Sequence, residues 1–89
     1  LMYAAWNDDP DQVRLLTTHG AKIDLADEEG SNPLAIAAQN GKARAAAALI
    51  EAGADVNLGA GTGGYTPLML AANADSLSII DQLLKRGAG

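Results

Sequence analysis

The chain has 89 residues, 48% of them apolar with Ala the commonest, no Phe and 3% aromatics. A compact chain of this size buries only a modest core, and small apolar residues suit closely packed helices better than a bulky centre. Cysteine is absent, which excludes disulfides and thiolate metal sites, and a net charge of −5 argues against a phosphate-binding surface.

In chain order, "LMYAA" (1–5) reads as a first short helix, followed by a tight turn at "NDDP". Asp9 is placed to cap a second helix, Pro10 to start it, and Gln12 stands at the capping-box position. Gly20 ends that helix, most simply as a left-handed residue. A turn-rich, extended segment follows over 21–32. Asn32-Pro33 then opens another helix through "LAIAA" (34–38), "NGK" makes the turn, and Ala45, Ala46, Leu49 and Ile50 form an apolar stripe ending at Gly53. A second extended segment covers 54–66. Thr66-Pro67 opens "LMLAA" (68–72), "NADS" turns the chain, and Ile79, Ile80, Leu83 and Leu84 form a thicker stripe ending at Gly87.

These elements are copies of one unit. Gly20, Gly53 and Gly87 lie 33 and 34 residues apart, and each of the three Leu-x-x-Ala-Ala tracts begins 19 residues before its Gly. Self-similarity at such a period is the signature of a stacked repeat array. The units are 1–26, 27–59 and 60–89, the first partial, the third with one inserted residue and a truncated end. Their charges sum to −2, −3 and zero, and the densest acid run is Asp27-Glu28-Glu29.

The tracts "TPLMLAA", "NPLAIAA" and "AGADVN" resemble the ankyrin repeat over essentially all 89 residues, with some flavour of bacterial ankyrin-like proteins. The resemblance implies an all-α repeat solenoid of stacked helix-turn-helix pairs with projecting β-hairpin or turn loops. The family's His after T-P-L is Met2, Ala35 and Met69 here, and Asn32 replaces its Thr.

Several sites of chemistry are weighed and set aside. Gly59, Gly61 and Gly64 spell the dinucleotide signature G-x-G-x-x-G, with Asp81 at 20 residues from Gly61. That site requires a buried strand before it and a helix opening on the loop. "GADVNL" is too short and polar for such a strand, and the helix opens only at Thr66-Pro67. Gly64 aligns with Gly30, so the glycines are expected to serve a hairpin, and Asp81 to face outward. His19, the only histidine, sits at a helix end without a nucleophile or further ligands. Asp8, Asp9 and Asp11 lack the Gly and Glu of an EF-hand loop, so capping is the better account. No cofactor, metal site or catalytic residue is expected.

What the resemblance implies is protein binding through hairpin tips and first-helix ends. Carried over position by position, the tips contribute Glu28, Glu29, Ser31, Gly61, Thr62, Gly63 and Tyr65. The helix ends contribute Trp6, Asn7, Gln39, Asn40, Asn73 and Ala74. Trp6 aligns with the polar Gln39 and Asn73, and Tyr65 with Ser31, so both are expected to be exposed contact residues. Tyr3 aligns with Ile36 and Leu70 and is expected in the core. "LIEAGADVN" also resembles the pattern recognised by the asparaginyl hydroxylase of ankyrin repeats, making Asn57 a candidate modification site.

The expected function is a non-catalytic protein–protein interaction module, a scaffold, recruiter or inhibitor. Its partner would present a basic face with an apolar anchor; neither nucleic acid nor membrane insertion is expected. The competing expectation is a regulatory or oligomerising segment of a larger enzyme whose catalytic domain lies elsewhere. Retention of the whole apolar stripe in the third unit implies flanking repeats in a longer array.

Overall fold

A computed structural model describes residues 1–88. Six helices follow in order: α1 (Met2–Trp6), α2 (Pro10–Thr18), α3 (Pro33–Gln39), α4 (Ala43–Glu51), α5 (Pro67–Asn73) and α6 (Leu77–Lys85). The fold is an all-α stack of helix pairs. The shorter first helices pack side by side, α1 on α3 and α3 on α5, while the second helices form a parallel layer, α2 on α4 and α4 on α6. Among the described residues the one β feature is an isolated antiparallel bridge, Ala60 to Tyr65.

Local chemistry starts and stops these helices. Asp9, Asn32 and Thr66 each accept the amide three residues on, from Gln12 at 3.1 Å, Ala35 at 2.9 Å and Met69 at 3.3 Å, and each is followed by Pro. The capping box at Gln12 is only half formed, because its side chain makes no return bond to Asp9. At the far ends, Gly20, Gly53 and Gly87 are left-handed, with φ of 90°, 100° and 85°. Paired bonds close each end, as in Gly53 N–H to Ile50 C=O at 3.1 Å and Ala54 N–H to Leu49 C=O at 3.0 Å.

The core is a seam between the two layers. Val13, Leu34, Leu49, Ile79 and Leu83 supply the bulk, and Ala4, Ala5, Ala37, Ala38, Ala45, Ala46, Ala48 and Ala71 let helices approach. Complete burial of a Leu or Ile contributes roughly 1.5–3 kcal/mol, so these few side chains dominate the packing energy.

Two expectations are corrected. The α6 stripe is split: Ile79 and Leu83 are fully buried, Ile80 is half-buried, and Leu84 is 54% exposed. The equivalent α4 residues are all buried, because a helix pair packs on their outer side. Tyr3 is not core; it is 72% exposed, whereas the aligned Ile36 and Leu70 are half-buried. Alignment placed Tyr3 on the correct helical face, but no described helix pair covers that side of α1.

Candidate functional site: the cleft between the hairpin tips and the first helices

Two tips stand beside α3 and α5. In the first, the Asp27 carboxylate turns inward: one oxygen accepts the amides of Glu29 and Ser31, both at 2.9 Å. Asp27 N–H also donates to Ser31 C=O at 2.8 Å. This turn leaves Glu28 and Glu29 pointing into solvent. In the second tip, Ala60 and Tyr65 exchange both backbone bonds, at 2.8 and 3.0 Å. The tips are tied together by Gly61 N–H donating to Gly30 C=O at 2.9 Å.

The glycine signature belongs to this hairpin. Gly61 and Gly64 have φ of 69° and 64°, and a Cβ on Gly59 would stand 2.9 Å from the Gly64 carbonyl oxygen. No helix opens on the loop, and Asp81 instead pairs with Lys85 at 3.1 Å on the outer side of α6.

Between tips and helices lies an open cleft of about 590 Å³, a size suited to small ligands or a few side chains of a partner. Ser31, Gln39, Tyr65 and Asn73 line it, all from the expected set, together with Gly61. Met69, Leu70 and Ala60 complete the wall and escaped the sequence reading. The missed signal was Met69 itself, a large side chain where the preceding unit has a fully buried Ala35; Met69 is 56% exposed. Tyr65 is equally exposed, and its ring lies against Gly63 so closely that a Cβ there would collide with it.

The remaining expected residues lie outside the cleft lining. Thr62, Gly63, Glu28 and Glu29 are exposed at the tips. Trp6 is 53% exposed, with Lys42 Nζ 5.9 Å from its ring centroid, a cation–π distance. Asn7 and Ala74 are exposed helix ends, whereas the Asn40 amide donates to Ile36 C=O at 2.9 Å and is engaged in closing α3. Asn57 is exposed in the turn after α4, its N–H donating to Asp55 Oδ1 at 2.9 Å. His19 is the residue that closes α2, and Asp11 pairs with Arg14 at 3.0 Å.

The electrostatics of this face are one-sided. α1, α3 and α5 contain no charged residue, and the tips add Asp27, Glu28 and Glu29 without a base. Lys42 beside Trp6 is a cation at its margin; Lys22 is exposed in the segment after α2, and Arg14, Arg44, Lys85 and Arg86 belong to the second helices and their ends. No group of metal-ligating side chains occurs among the described residues, and none of their helices is long and apolar enough to cross a membrane.

Comparison with known proteins agrees with this architecture. The family model for ankyrin repeats matches residues 1–89 in three copies. The human protein "Ankyrin repeat and SOCS box protein 16" is 48% identical over 62 residues, covering 70% of this chain and 14% of that protein. "Ankyrin repeat domain-containing protein SAT10" of Stachybotrys chartarum is 36% identical over 88 residues, covering 99% of this chain and 4% of that protein. The chain thus spans a small part of either relative. Binding other proteins is the general role of such repeats, which are typically non-catalytic. With its period, paired helices, capped turns and tied hairpin tips, the chain belongs to the ankyrin-repeat family.

Proposed function

We propose that this chain is a protein-binding module that takes a basic segment of its partner across the tips and first helices, seating one apolar side chain in the cleft. The observation that carries this reading is the cleft itself, where exposed Tyr65 and Met69 stand beside the side-chain amides of Gln39 and Asn73. Aromatic anchors ringed by polar groups are the usual makings of a binding hot spot. Glu28 and Glu29 set the sign of the partner, and their charge acts mainly on encounter rate and discrimination. Ser31 adds a hydroxyl to the cleft wall, and Trp6, Asn7, Asn40 and Thr62 extend the contact beyond it.

Selection from a displayed peptide library, with the chain and its Tyr65→Ala/Met69→Ala variant in parallel, tests this reading. Peptides combining Lys or Arg with a large apolar residue, retained by the parent and lost by the variant, support it. Acidic winners, or winners indifferent to the variant, overturn it.

A second reading makes the chain a regulatory or oligomerising segment of a larger enzyme, and the small share of its relatives that it covers favours keeping it. An activity in the longer protein that changes on deletion of these repeats supports that reading. The exposed Asn57 is a separate proposal for hydroxylation; a mass increase of one oxygen on its peptide, from protein isolated from its source, is the test, and an unmodified peptide rejects it.

A further inference from the structure

The cleft between the tips and the first helices holds a set of polar groups with nothing to bond to. Gln39 and Asn73 are the last residues of α3 and α5, both exposed and both on the cleft wall. Neither side-chain amide makes a hydrogen bond among the described residues, whereas the neighbouring Asn40 amide donates to Ile36 C=O. The hydroxyls of Ser31 and Tyr65, which face them from the tips, are likewise without a partner among those residues.

This set is neutral and balanced. Two carboxamides and two hydroxyls offer donors and acceptors together, and no charged residue lines the cleft. The charges nearby are engaged or stand outside it. Asp8 Oδ2 lies 3.6 Å from Arg44 Nε, Lys42 lies over Trp6, and Glu28 and Glu29 point from their tip into solvent. A charged group brought into the cleft would meet no counter-charge there. A peptide group, with one N–H and one C=O, matches a carboxamide donor for acceptor.

The same groups discriminate between shapes of occupant. A helical segment bonds its own N–H and C=O groups to one another, so it would cover the four side chains and leave them unpaired, weakening binding at each. An extended segment arrives with its backbone groups free. Packed helices such as α3 and α5 have axes about 8–10 Å apart, which is roughly three residues of extended chain at about 3.3 Å each.

We propose that the cleft reads its partner through the main chain: an extended segment crosses α3 and α5, and Gln39 and Asn73 each bond one of its peptide groups, about two to four residues apart. Resting on the protein-binding role proposed above, this arrangement adds the conformation of the bound segment and the side chains that hold its backbone. Tyr65 and Met69 select the side chain seated between them, and the two amides fix its register.

The probe is a short peptide from the library selection, carrying Lys or Arg and one large apolar residue, with each backbone nitrogen methylated in turn. Methylation removes one N–H and keeps every side chain. About tenfold weaker binding is expected at two positions, the worth of one hydrogen bond each, with little change elsewhere. One of those losses is expected to vanish in Gln39→Ala and the other in Asn73→Ala. Both variants are expected to melt as the parent does, since neither side chain has a partner among the described residues. A peptide stapled into a helix is expected to bind at least about tenfold more weakly. Methylation without effect, or losses that persist in both variants, would overturn the main-chain role; Tyr65→Ala/Met69→Ala still abolishing binding would then leave the anchor reading standing. Equal or tighter binding of the stapled peptide would overturn the extended occupant. A selection yielding no peptide that depends on Tyr65 and Met69 would overturn both readings.

Discussion

The Asp8 carboxylate accepts the amide hydrogen of Ala45 at 2.8 Å, across 37 residues of chain and from one helix pair to the next. Asp8 thereby does two things. Its short polar side chain tolerates the left-handed turn that ends α1, and it satisfies a donor at the start of α4 that Lys42 leaves open. Replacing it by Ala removes the cap and leaves a methyl group at positive φ. The expected loss is about 1.5–2.5 kcal/mol in urea unfolding, whereas Asp8→Asn, which keeps the acceptor, costs under about 0.5 kcal/mol. Equal losses in the two variants would show that the charge on Arg44, not the amide, is what matters.

Asn32 is 2% exposed and caps α3 through its oxygen, yet its Nδ2 is buried without a partner. Thr66 performs the same capping in the next pair with no such orphan. Asn32→Thr is therefore expected to stabilise the chain by about 1 kcal/mol, since an unpaired buried donor costs about that much or more. A lower urea midpoint would contradict the assignment.

Gly30 ties the tips at a point where two backbones nearly touch. Its φ is 82°, and an added Cβ would lie 3.2 Å from both the Cα and the amide nitrogen of Gly61. Gly30→Ala is expected to cost about 1–3 kcal/mol and to loosen the second tip, because backbone strain and crowding add there. Faster amide exchange at Gly61, which donates to Gly30 C=O, is the local readout.

Gly63→Ala aims at function instead. The Cβ would drive the Tyr65 ring from its seat at the mouth of the cleft. Both residues are exposed, so unfolding should change by no more than about 0.5 kcal/mol. Affinity for a selected basic peptide is expected to fall at least about tenfold, the loss of a modest aromatic anchor. Unchanged affinity would remove Tyr65 from the contact.

What the sequence made legible was local or periodic. Asp9, Asn32 and Thr66 announce their caps because donor and acceptor lie three residues apart and Pro follows each. The C-terminal glycines and the hairpin role of Gly59, Gly61 and Gly64 follow from register. What stayed hidden depends on the neighbouring pair: the Asp8 cap lies too far along the chain, and Tyr3, Met69 and Leu84 are exposed or covered according to what stacks beside them. An aligned position fixes the face a side chain takes, not whether anything lies against that face.

The most direct test of the account is amide chemical-shift mapping of the chain during titration with a selected basic peptide carrying one large apolar residue. Shifts concentrated at Ser31, Gln39, Gly61, Tyr65, Met69 and Asn73, weakening as salt is raised, are the predicted result. Shifts confined to α2, α4 and α6, with the cleft residues unmoved, would contradict it.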